Sequence, residues 1–213
     1  MSINGSLSLG ALILSIGWSF GGVVAFEIGC LMMKEGFDVK GVVLVDAPCP
    51  TDRVTLPATL LDHIVTRGKP SRSEMETMGS VKEQFGRSSE LLKRYSPSPD
   101  GPYPRVAFLR SREGMKIESE SMLEEVPVWF TDREEPETTV RGWEMLLEGS
   151  LKRWNVPGDH FQPFLPENVS VDDTRPSRPH SLISGFLQVE ATSQCIAEAC
   201  RFLDSDGKKI LSP

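Results

Sequence analysis

The chain has 213 residues, of which 39% are hydrophobic and 25% charged, a composition typical of one soluble globular domain with a sizeable core. Its formal net charge of −7 makes nucleic acid and anionic membrane surfaces poor partners. The first 33 residues contain one charged side chain, Glu27, so this segment resembles the interior of a sheet more than a solvated terminus.

The few cysteines and histidines limit metal and disulfide chemistry. The four cysteines are Cys30, Cys49, Cys195 and Cys200. They form no CxxC pair, which favours reduced cysteines in a cytoplasmic protein without a bound metal. Glu27 and several glycines interrupt the apolar stretch from Ala11 to Met33, which argues against a membrane-spanning helix. No basic residue precedes Lys34, so we expect no signal peptide.

The amino-terminal segment predicts a parallel crossover unit. Gly10 to Ile16 is a short apolar run suited to a strand buried on both faces, and a glycine-rich turn follows it. Val23 to Lys34 has the length and spacing of a helix that ends at Gly36. Lys40 to Val45 is a second buried strand. The order strand, helix, strand predicts two neighbouring parallel strands.

Residues 51–104 differ in character and predict a helical insertion outside the main sheet. Helices are predicted at Leu56 to Val65 and at Val81 to Tyr95. The polar segment from Thr66 to Ser80 is predicted to separate them, and a proline-rich stretch closes the region.

The remaining segments return to the alternation of strands and helices. Arg105 to Leu109 and Leu151 to Asn155 predict two more strands, and a helix is predicted between them from Pro136 to Leu147. Ala191 to Leu203 predicts a terminal helix. Residues 170–190 are polar and proline-containing, which predicts an irregular insert. Together the elements predict an α/β fold with a mostly parallel sheet.

The turn after the first strand has the form of a nucleophile elbow. In Gly17-x-Ser19-x-Gly21 the serine lies between strand and helix, and small residues two positions away keep the neighbouring backbone clear. The backbone N–H of Phe20 is placed to donate a hydrogen bond to an oxyanion. The pattern predicts Ser19 as a nucleophile; the alternative is a tight turn with an incidental serine.

A general base for this serine is expected at His160. It follows a late strand in the turn-prone sequence Pro157 to His160, which places it at the carboxyl edge of the sheet. His63 lies in a helix-like segment and His180 in the irregular insert, so neither fits this role as well. The structural alternative for His160 is an ordinary loop histidine.

The acid that would orient His160 is expected at Asp46. This aspartate ends the strand after the nucleophile helix, so it and Ser19 are predicted at the same edge of the sheet. Glu113, shortly after the third predicted strand, is the alternative acid. The structural alternative for Asp46 is a turn aspartate before Pro48.

Several aromatic residues lie near these candidates in the sequence. Trp129 and Trp143 are expected to pack in the core or against a helix and not to contact substrate. Phe20 and Phe161 are sequence neighbours of Ser19 and His160, and adjacency alone suggests that they line an acyl pocket.

Three motifs contain the candidate residues. They are Gly17 to Glu27 (GWSFGGVVAFE), Val43 to Pro50 (VLVDAPCP) and Trp154 to Phe161 (WNVPGDHF). They resemble the nucleophile, acid and histidine regions of thioesterase domains in polyketide synthases and nonribosomal peptide synthetases. The segment Pro48 to Leu61 is most similar to fungal polyketide synthase members. The resemblance runs from about Gly10 to Asn168 and returns over the terminal helix.

The resemblance implies an α/β-hydrolase fold with a helical lid over residues 51–104 and a serine acyl-thioesterase reaction in secondary metabolism. A polyketide chain on the phosphopantetheine arm of an acyl carrier protein would acylate Ser19. Water, an internal hydroxyl or an internal carbanion would then release the product. No bound cofactor is implied, and the implied partners are the carrier protein or synthase modules.

The chain departs from this family before the nucleophile strand. Family members carry several strands there, together with a loop that supplies a second oxyanion donor. We therefore expect residues 1–213 to form one partial domain that lacks its N-terminal strands. Two alternatives follow: a truncated, inactive remnant, and a generic carboxylesterase, since a serine triad does not distinguish oxygen esters from thioesters.

Overall fold

The computed structural model describes residues 13–52, 57, 59–60, 72–117, 120–134, 137–162 and 192–204. Four parallel strands within these ranges form a sheet in chain order. They are β1 (Ile13–Trp18), β2 (Val39–Val45), β3 (Val106–Ser111) and β4 (Leu151–Val156). Because neighbouring strands are parallel, all four carboxyl ends meet at one edge of the sheet. The predicted parallel α/β sheet is confirmed.

Helices lie on both faces of this sheet. They are α1 (Phe20–Lys34), α2 (Arg72–Arg94), α3 (Glu120–Leu123), α4 (Val128–Thr131), α5 (Glu137–Leu146) and α6 (residues 192–204), with a short 3-10 turn at Pro50–Asp52. Alternate residues of β2 point to opposite faces. Val42 and Leu44 pack under α1 and α5, and Val43 and Val45 pack under α6. None of the described helices is both long and apolar enough to cross a membrane.

The crossover unit matches its prediction except at its boundaries. The strand runs on to Trp18, two residues beyond the predicted end, and the helix begins at Phe20 instead of Val23. Gly36 ends α1 as predicted: it has a φ of 84°, its N–H donates to the carbonyl of Met33, and the N–H of Phe37 donates to Met32. β1 lies at the edge of the described sheet.

The prediction for the middle of the chain was partly wrong. The segment from Thr66 to Ser80 was predicted to be non-helical, whereas α2 begins at Arg72 and continues to Arg94. The missed residues 72–80 carry two apolar side chains, Met75 and Met78, together with Gly79, so this stretch shows little of an apolar face. The described side chains of α2 are largely exposed, and the ion pairs Glu83–Arg87 (2.5 Å) and Glu90–Lys93 (2.9 Å) lie along it. Most of the predicted helix from Leu56 to Val65, and the predicted insert at 170–190, lie outside the described residues.

The later elements agree closely with their predictions. β3, α5, β4 and α6 each lie within two residues of the predicted bounds. The sequence did not predict α3 and α4, because helices of four residues are too short to show a helical period. The second of them, α4, nevertheless brings the rings of Trp129 and Phe130 against His160, on the loop after β4.

Glu27, the lone charged residue of the first 33, has a partner on another element. Its carboxylate accepts a short hydrogen bond from the hydroxyl of Tyr95, just beyond α2. Burial and the Glu27 carboxylate both raise the pKa of Tyr95 well above its usual range, so the phenol remains the donor. The contact joins the end of α2 to the middle of α1.

Candidate active site

Ser19 lies where β1 ends and α1 begins. Its backbone N–H donates to the carbonyl of Val45 at 3.0 Å, which continues the ladder between β1 and β2 by one bond. Ser19 then adopts φ 53° and ψ −132°, a conformation that costs a non-glycine residue about 1–3 kcal/mol. This sharp turn lies at the amino terminus of α1, where backbone N–H groups and the helix dipole favour negative charge.

Close backbone approaches explain two glycines of this turn. A Cβ on Gly17 would lie 2.2 Å from the carbonyl oxygen of Gly21, and one on Gly22 would lie 2.5 Å from the Cβ of Ala47. A Cβ on Gly21 would meet no atom within 4 Å. The predicted need for a small residue is therefore confirmed at Gly17 and was wrong for Gly21, where a Cβ would meet open space. Gly22, which the prediction did not include, is the second glycine that packing constrains.

Asp46 occupies the equivalent position after β2. Its backbone N–H donates to the carbonyl of Leu109 at 2.7 Å, and its φ is 47°, so the chain turns sharply there as well. The residue is only 2% exposed. Its Oδ1 accepts from the N–H of Ser111 (3.0 Å) and from Nη1 of Arg133 (2.7 Å), and its Oδ2 accepts from Nη2 of Arg133 (2.9 Å).

His160 lies on the loop after β4 and is fully buried. The indole Nε1–H of Trp18 donates to its carbonyl oxygen at 2.9 Å, which ties the loop to the end of β1. The N–H of Phe161 donates to Oδ1 of Asp159 at 2.9 Å, and the N–H of Glu113 donates to the carbonyl of Gly158 at 3.1 Å. These bonds fix the position of the imidazole relative to the sheet.

The three side chains meet in one line. Nδ1 of His160 lies 2.7 Å from Oδ2 of Asp46, and Nε2 of His160 lies 2.9 Å from Oγ of Ser19. A carboxylate can only accept, so the favoured tautomer carries its proton on Nδ1 and leaves Nε2 to accept the serine proton. The arrangement can therefore move a proton from Ser19 to His160 while Asp46 faces the developing imidazolium.

The charge state of Asp46 results from opposing effects. Burial alone raises the pKa of this carboxyl, but the hydrogen bond from His160 and the charge and hydrogen bonds of Arg133 outweigh burial and hold the pKa well below its usual range. Asp46 is thus an ionised carboxylate although its side chain is buried.

The alternatives to these residues lie elsewhere. Glu113 is exposed, and Asp46 occupies the hydrogen-bonding position at Nδ1 of His160. His63 and His180 lie outside the described residues.

Four aromatic rings surround the imidazole of His160, and the sequence did not indicate this. The ring centroids of Trp18 and Trp129 lie 5.5 Å from the imidazole centroid, that of Phe130 5.2 Å and that of Phe161 4.9 Å. Trp129, expected to be a packing residue, is half-buried against the histidine. Aromatic rings lower the local dielectric, and their faces attract a cation such as imidazolium.

The other two aromatic predictions have different outcomes. Trp143 is fully buried, packs edge-on against Phe26 and donates to the carbonyl of Ala47 at 2.9 Å, which confirms it as a core residue. Phe20 lines an apolar cavity of about 350 Å³ beside the first turns of α1, together with Val24, Leu91 and other residues.

Arg133 is the site residue with no signal in the sequence. It lies in a charged run that reads as a solvated surface, yet its side chain is 2% exposed and contacts both oxygens of Asp46. The two residues are 87 positions apart, so only the folded chain brings them together.

Comparison with known proteins gives consistent results. The family model of the thioesterase domain matches residues 8–171. An orsellinic acid synthase of Armillaria mellea is 33% identical over 191 residues, which cover 88% of this chain and 8% of the synthase. Thioesterase AMT4 of Alternaria alternata is 26% identical over 176 residues, covering 78% of this chain and 59% of that protein. The chain thus spans a small part of the synthases that it matches.

A solved structure shares the fold. The thioesterase domain of NocB, in a covalent complex with a fluorophosphonate nocardicin G analogue, superimposes with a TM-score of 0.51 at 23% identity. The match covers 87% of this chain and 64% of the NocB chain. The sheet and its flanking helices are therefore α/β-hydrolase-like, as the sequence predicted.

Proposed function

Because this chain belongs to the thioesterase domain family, we propose that it is a serine acyl-thioesterase in which Ser19 is the nucleophile, His160 the general base and Asp46 the acid that orients the base. The observation that carries the proposal is the imidazole of His160, which bridges Oγ of Ser19 (2.9 Å) and Oδ2 of Asp46 (2.7 Å). These contacts join three different loops at the carboxyl edge of the sheet, where α/β enzymes bind their ligands.

Acylation begins at Ser19. Its Oγ attacks the thioester carbonyl carbon while Nε2 of His160 takes the hydroxyl proton. The carbonyl oxygen becomes an oxyanion at the amino terminus of α1, where the backbone N–H of Phe20 donates to it. The tetrahedral intermediate collapses, the carbon–sulfur bond breaks, and His160 returns the proton to the departing thiolate. The product of this half is an acyl ester on Ser19 and a free thiol.

Deacylation reverses the roles with a new nucleophile. Water, or a hydroxyl of the acyl chain itself, loses its proton to His160 and attacks the ester on Ser19. The second intermediate collapses to a free acid or a lactone and restores the serine hydroxyl. An internal carbanion would instead form a carbon–carbon bond and release a cyclised ketone.

The substrate proposed is a polyketide-type acyl chain on the phosphopantetheine arm of an acyl carrier protein. This follows the relatives, which are orsellinic acid synthases and non-reducing polyketide synthases of fungi. A carrier protein or synthase module would then be the partner, in the cytoplasm, and the phosphopantetheine belongs to the substrate. Residues 51–104, with α2, would form the lid, and the apolar cavity beside Phe20 would accept part of the chain.

A fluorophosphonate probe tests the nucleophile. The phosphorus is attacked by an activated serine, fluoride leaves, and the protein gains the mass of the phosphonyl group. We expect one adduct, on the peptide that contains Ser19, and none in Ser19→Ala. Ser15→Ala, which changes a serine of the same strand, serves as the matched control and keeps its labelling. A folded protein that never labels would favour the non-catalytic alternative.

The leaving group separates thioesterase from carboxylesterase. We expect kcat/KM to be higher for an acyl N-acetylcysteamine thioester than for the p-nitrophenyl ester of the same acid, despite the better leaving group of the latter. The reverse order, with labelling at Ser19 intact, would support a carboxylesterase.

A further inference from the structure

Arg133 is buried although the sequence around it is typical of an exposed surface. Arg133 follows α4, and its guanidinium lies in the interior with a side chain only 2% exposed. Nη1 and Nη2 each donate to a different oxygen of Asp46, at 2.7 and 2.9 Å. Such a bidentate pair fixes the plane of a carboxylate as well as its position.

Stability alone is a weak reason for this arrangement. Removing a guanidinium from water costs several kcal/mol, and apolar replacements of a whole buried ion pair often leave stability unchanged or raised. The Nε of Arg133 also has no hydrogen-bond partner among the residues that the structure describes. The contacts that Arg133 does make are concentrated on the one carboxylate that faces His160.

The hydrogen bonds to Asp46 leave the carboxylate one orientation. Oδ1 accepts from the N–H of Ser111 and from Nη1 of Arg133, and Oδ2 accepts from Nη2 of Arg133 and lies 2.7 Å from Nδ1 of His160. Rotation of the carboxyl about its Cβ–Cγ bond would break the contacts with Arg133. We propose that Arg133 is a positioning residue that locks Asp46 with Oδ2 toward His160. This inference rests on the proposed function of the triad.

A second arginine supports the first. Arg110, at the end of β3, is buried and donates a short hydrogen bond to the carbonyl oxygen of Arg133. The guanidinium carbon of Arg133 also lies 5.5 Å from the ring centroid of Trp129, which packs on His160. Backbone and side chain of Arg133 are therefore both tied to elements of the site.

Electrostatics give the lock a measurable signature. The charged and titratable groups that face Asp46 from the described elements are Arg133, Arg110 and His160. Burial raises the pKa of Asp46, and the contacts with His160 and Arg133 lower it below its usual range. Removal of the guanidinium takes away one of the interactions that stabilise the ionised carboxylate. The pKa of Asp46 therefore rises, because burial disfavours the ionised form. The carboxylate would then take up a proton at a higher pH, which disables the triad.

The test compares Arg133→Met, Arg133→Lys and the control Arg153→Met. Arg153 lies on β4 with a side chain 41% exposed and one long ion pair, to Glu144 at 3.5 Å. We measure kcat and KM for an acyl thioester from pH 4.5 to 9. Each value is normalised to the amount of folded protein, which is determined by circular dichroism. For Arg133→Met we expect kcat to fall about 10- to 100-fold, by analogy with residues that orient the ligands of a catalytic metal. KM should change little, and the acid limb of kcat should move to higher pH.

The lysine variant separates charge from geometry and covers the case in which the methionine variant does not fold. A lysine keeps the positive charge but cannot donate in a bidentate fork. Arg133→Lys should therefore lose kcat while its acid limb stays near that of the wild type, and Arg153→Met should match the wild type in both.

Two results would overturn the inference. One is a wild-type kcat and pH profile per folded molecule in Arg133→Met, or in Arg133→Lys if only that variant folds. The other is a wild-type kcat in a folded Arg133→Lys, because a lysine keeps the charge but cannot form the bidentate contact with Asp46. Failure of the proposed function looks different: the wild type itself would neither turn over thioesters nor label at Ser19.

Discussion

The turns at Ser19 and Asp46 occupy equivalent places after neighbouring strands but are held by different means. Both residues have positive φ angles, 53° and 47°, and both extend the sheet ladder by one backbone bond. Ser19 is held by backbone packing, because Gly17 and Gly22 allow contacts that a Cβ would block. Asp46 is held by side-chain bonds from residues far along the chain.

The difference shows how each kind of site can be recognised. A turn held by backbone packing needs glycines at short, fixed spacing, so it can be recognised as a motif in the sequence. A carboxylate held by contacts with residues far along the chain has no such motif. Variants at each turn, paired with a control variant at a nearby residue, separate these two ways of holding a residue.

The largest effect is expected at Asp46. Asp46→Asn removes the carboxylate from Nδ1 of His160, and the loss of the triad acid lowers kcat by a factor on the order of 10⁴. Glu113→Gln is the matched control, since Glu113 is exposed on the loop after β3. Thioester turnover by both variants checks this. Full activity in Asp46→Asn, with loss in Glu113→Gln, would exchange the two assignments.

The next effect is expected at the Ser19 turn. Gly17→Ala introduces a Cβ 2.2 Å from the carbonyl oxygen of Gly21, so the turn must shift; a displacement of about 1 Å at a nucleophile costs about 10²-fold in rate. Gly21→Ala is the control, because its Cβ would meet no atom within 4 Å. The rate of fluorophosphonate labelling measures both. Equal losses in the two variants would contradict the packing account of this turn.

The third effect concerns acid stability. Folding lowers the pKa of Asp46, so its stabilising contribution is complete above the unfolded value near 4 and is lost as the pH falls through the folded value. Urea unfolding between pH 7 and 2.5 should show a loss that exceeds about 1.4 kcal/mol, the free energy of one pKa unit. Asp46→Asn should lack this component. If the free energy of unfolding depended on pH in the same way in the wild type and in Asp46→Asn, Asp46 would make no such contribution.

The smallest effect is expected where the end of β1 contacts the loop of His160. Trp18→Phe keeps an aromatic ring beside His160 but removes the hydrogen bond from Nε1 to the histidine carbonyl (2.9 Å). A bond of this kind contributes about 1 kcal/mol, so we expect kcat to fall about fivefold. Trp154→Phe, on the α6 side, is the control. An unchanged kcat in Trp18→Phe would show that this hydrogen bond is not needed to position His160.

Much of the fold was predictable because it is encoded locally. The buried strands are runs of apolar residues such as Val42 to Val45, and the α1 helix ends at a glycine with positive φ. The prediction missed residues 72–80 of α2, because Met75 and Met78 are the only apolar side chains of this stretch, which also contains Gly79. Ser19, Asp46 and His160 were placed at the same edge of the sheet because a parallel sheet brings successive strand ends together.

The surroundings of the site were not predictable in the same way. Arg133 reaches Asp46 across 87 positions, and Trp129 and Phe130 reach His160 from a four-residue helix. Local patterns do not specify such contacts, because they depend on how distant loops pack. The residues that hold Asp46 and His160 were therefore visible only in the folded chain.

Trapping an acyl-enzyme tests directly whether Ser19 is the nucleophile. The protein is mixed with an acyl N-acetylcysteamine thioester, quenched in acid within the first turnover, and mapped by peptide mass. We expect the acyl group on the peptide that contains Ser19 and one thiol released per adduct, and we expect Ser19→Ala to give neither. Thiol release at the wild-type rate by Ser19→Ala, or an acyl group on another residue such as Cys49, would contradict this assignment.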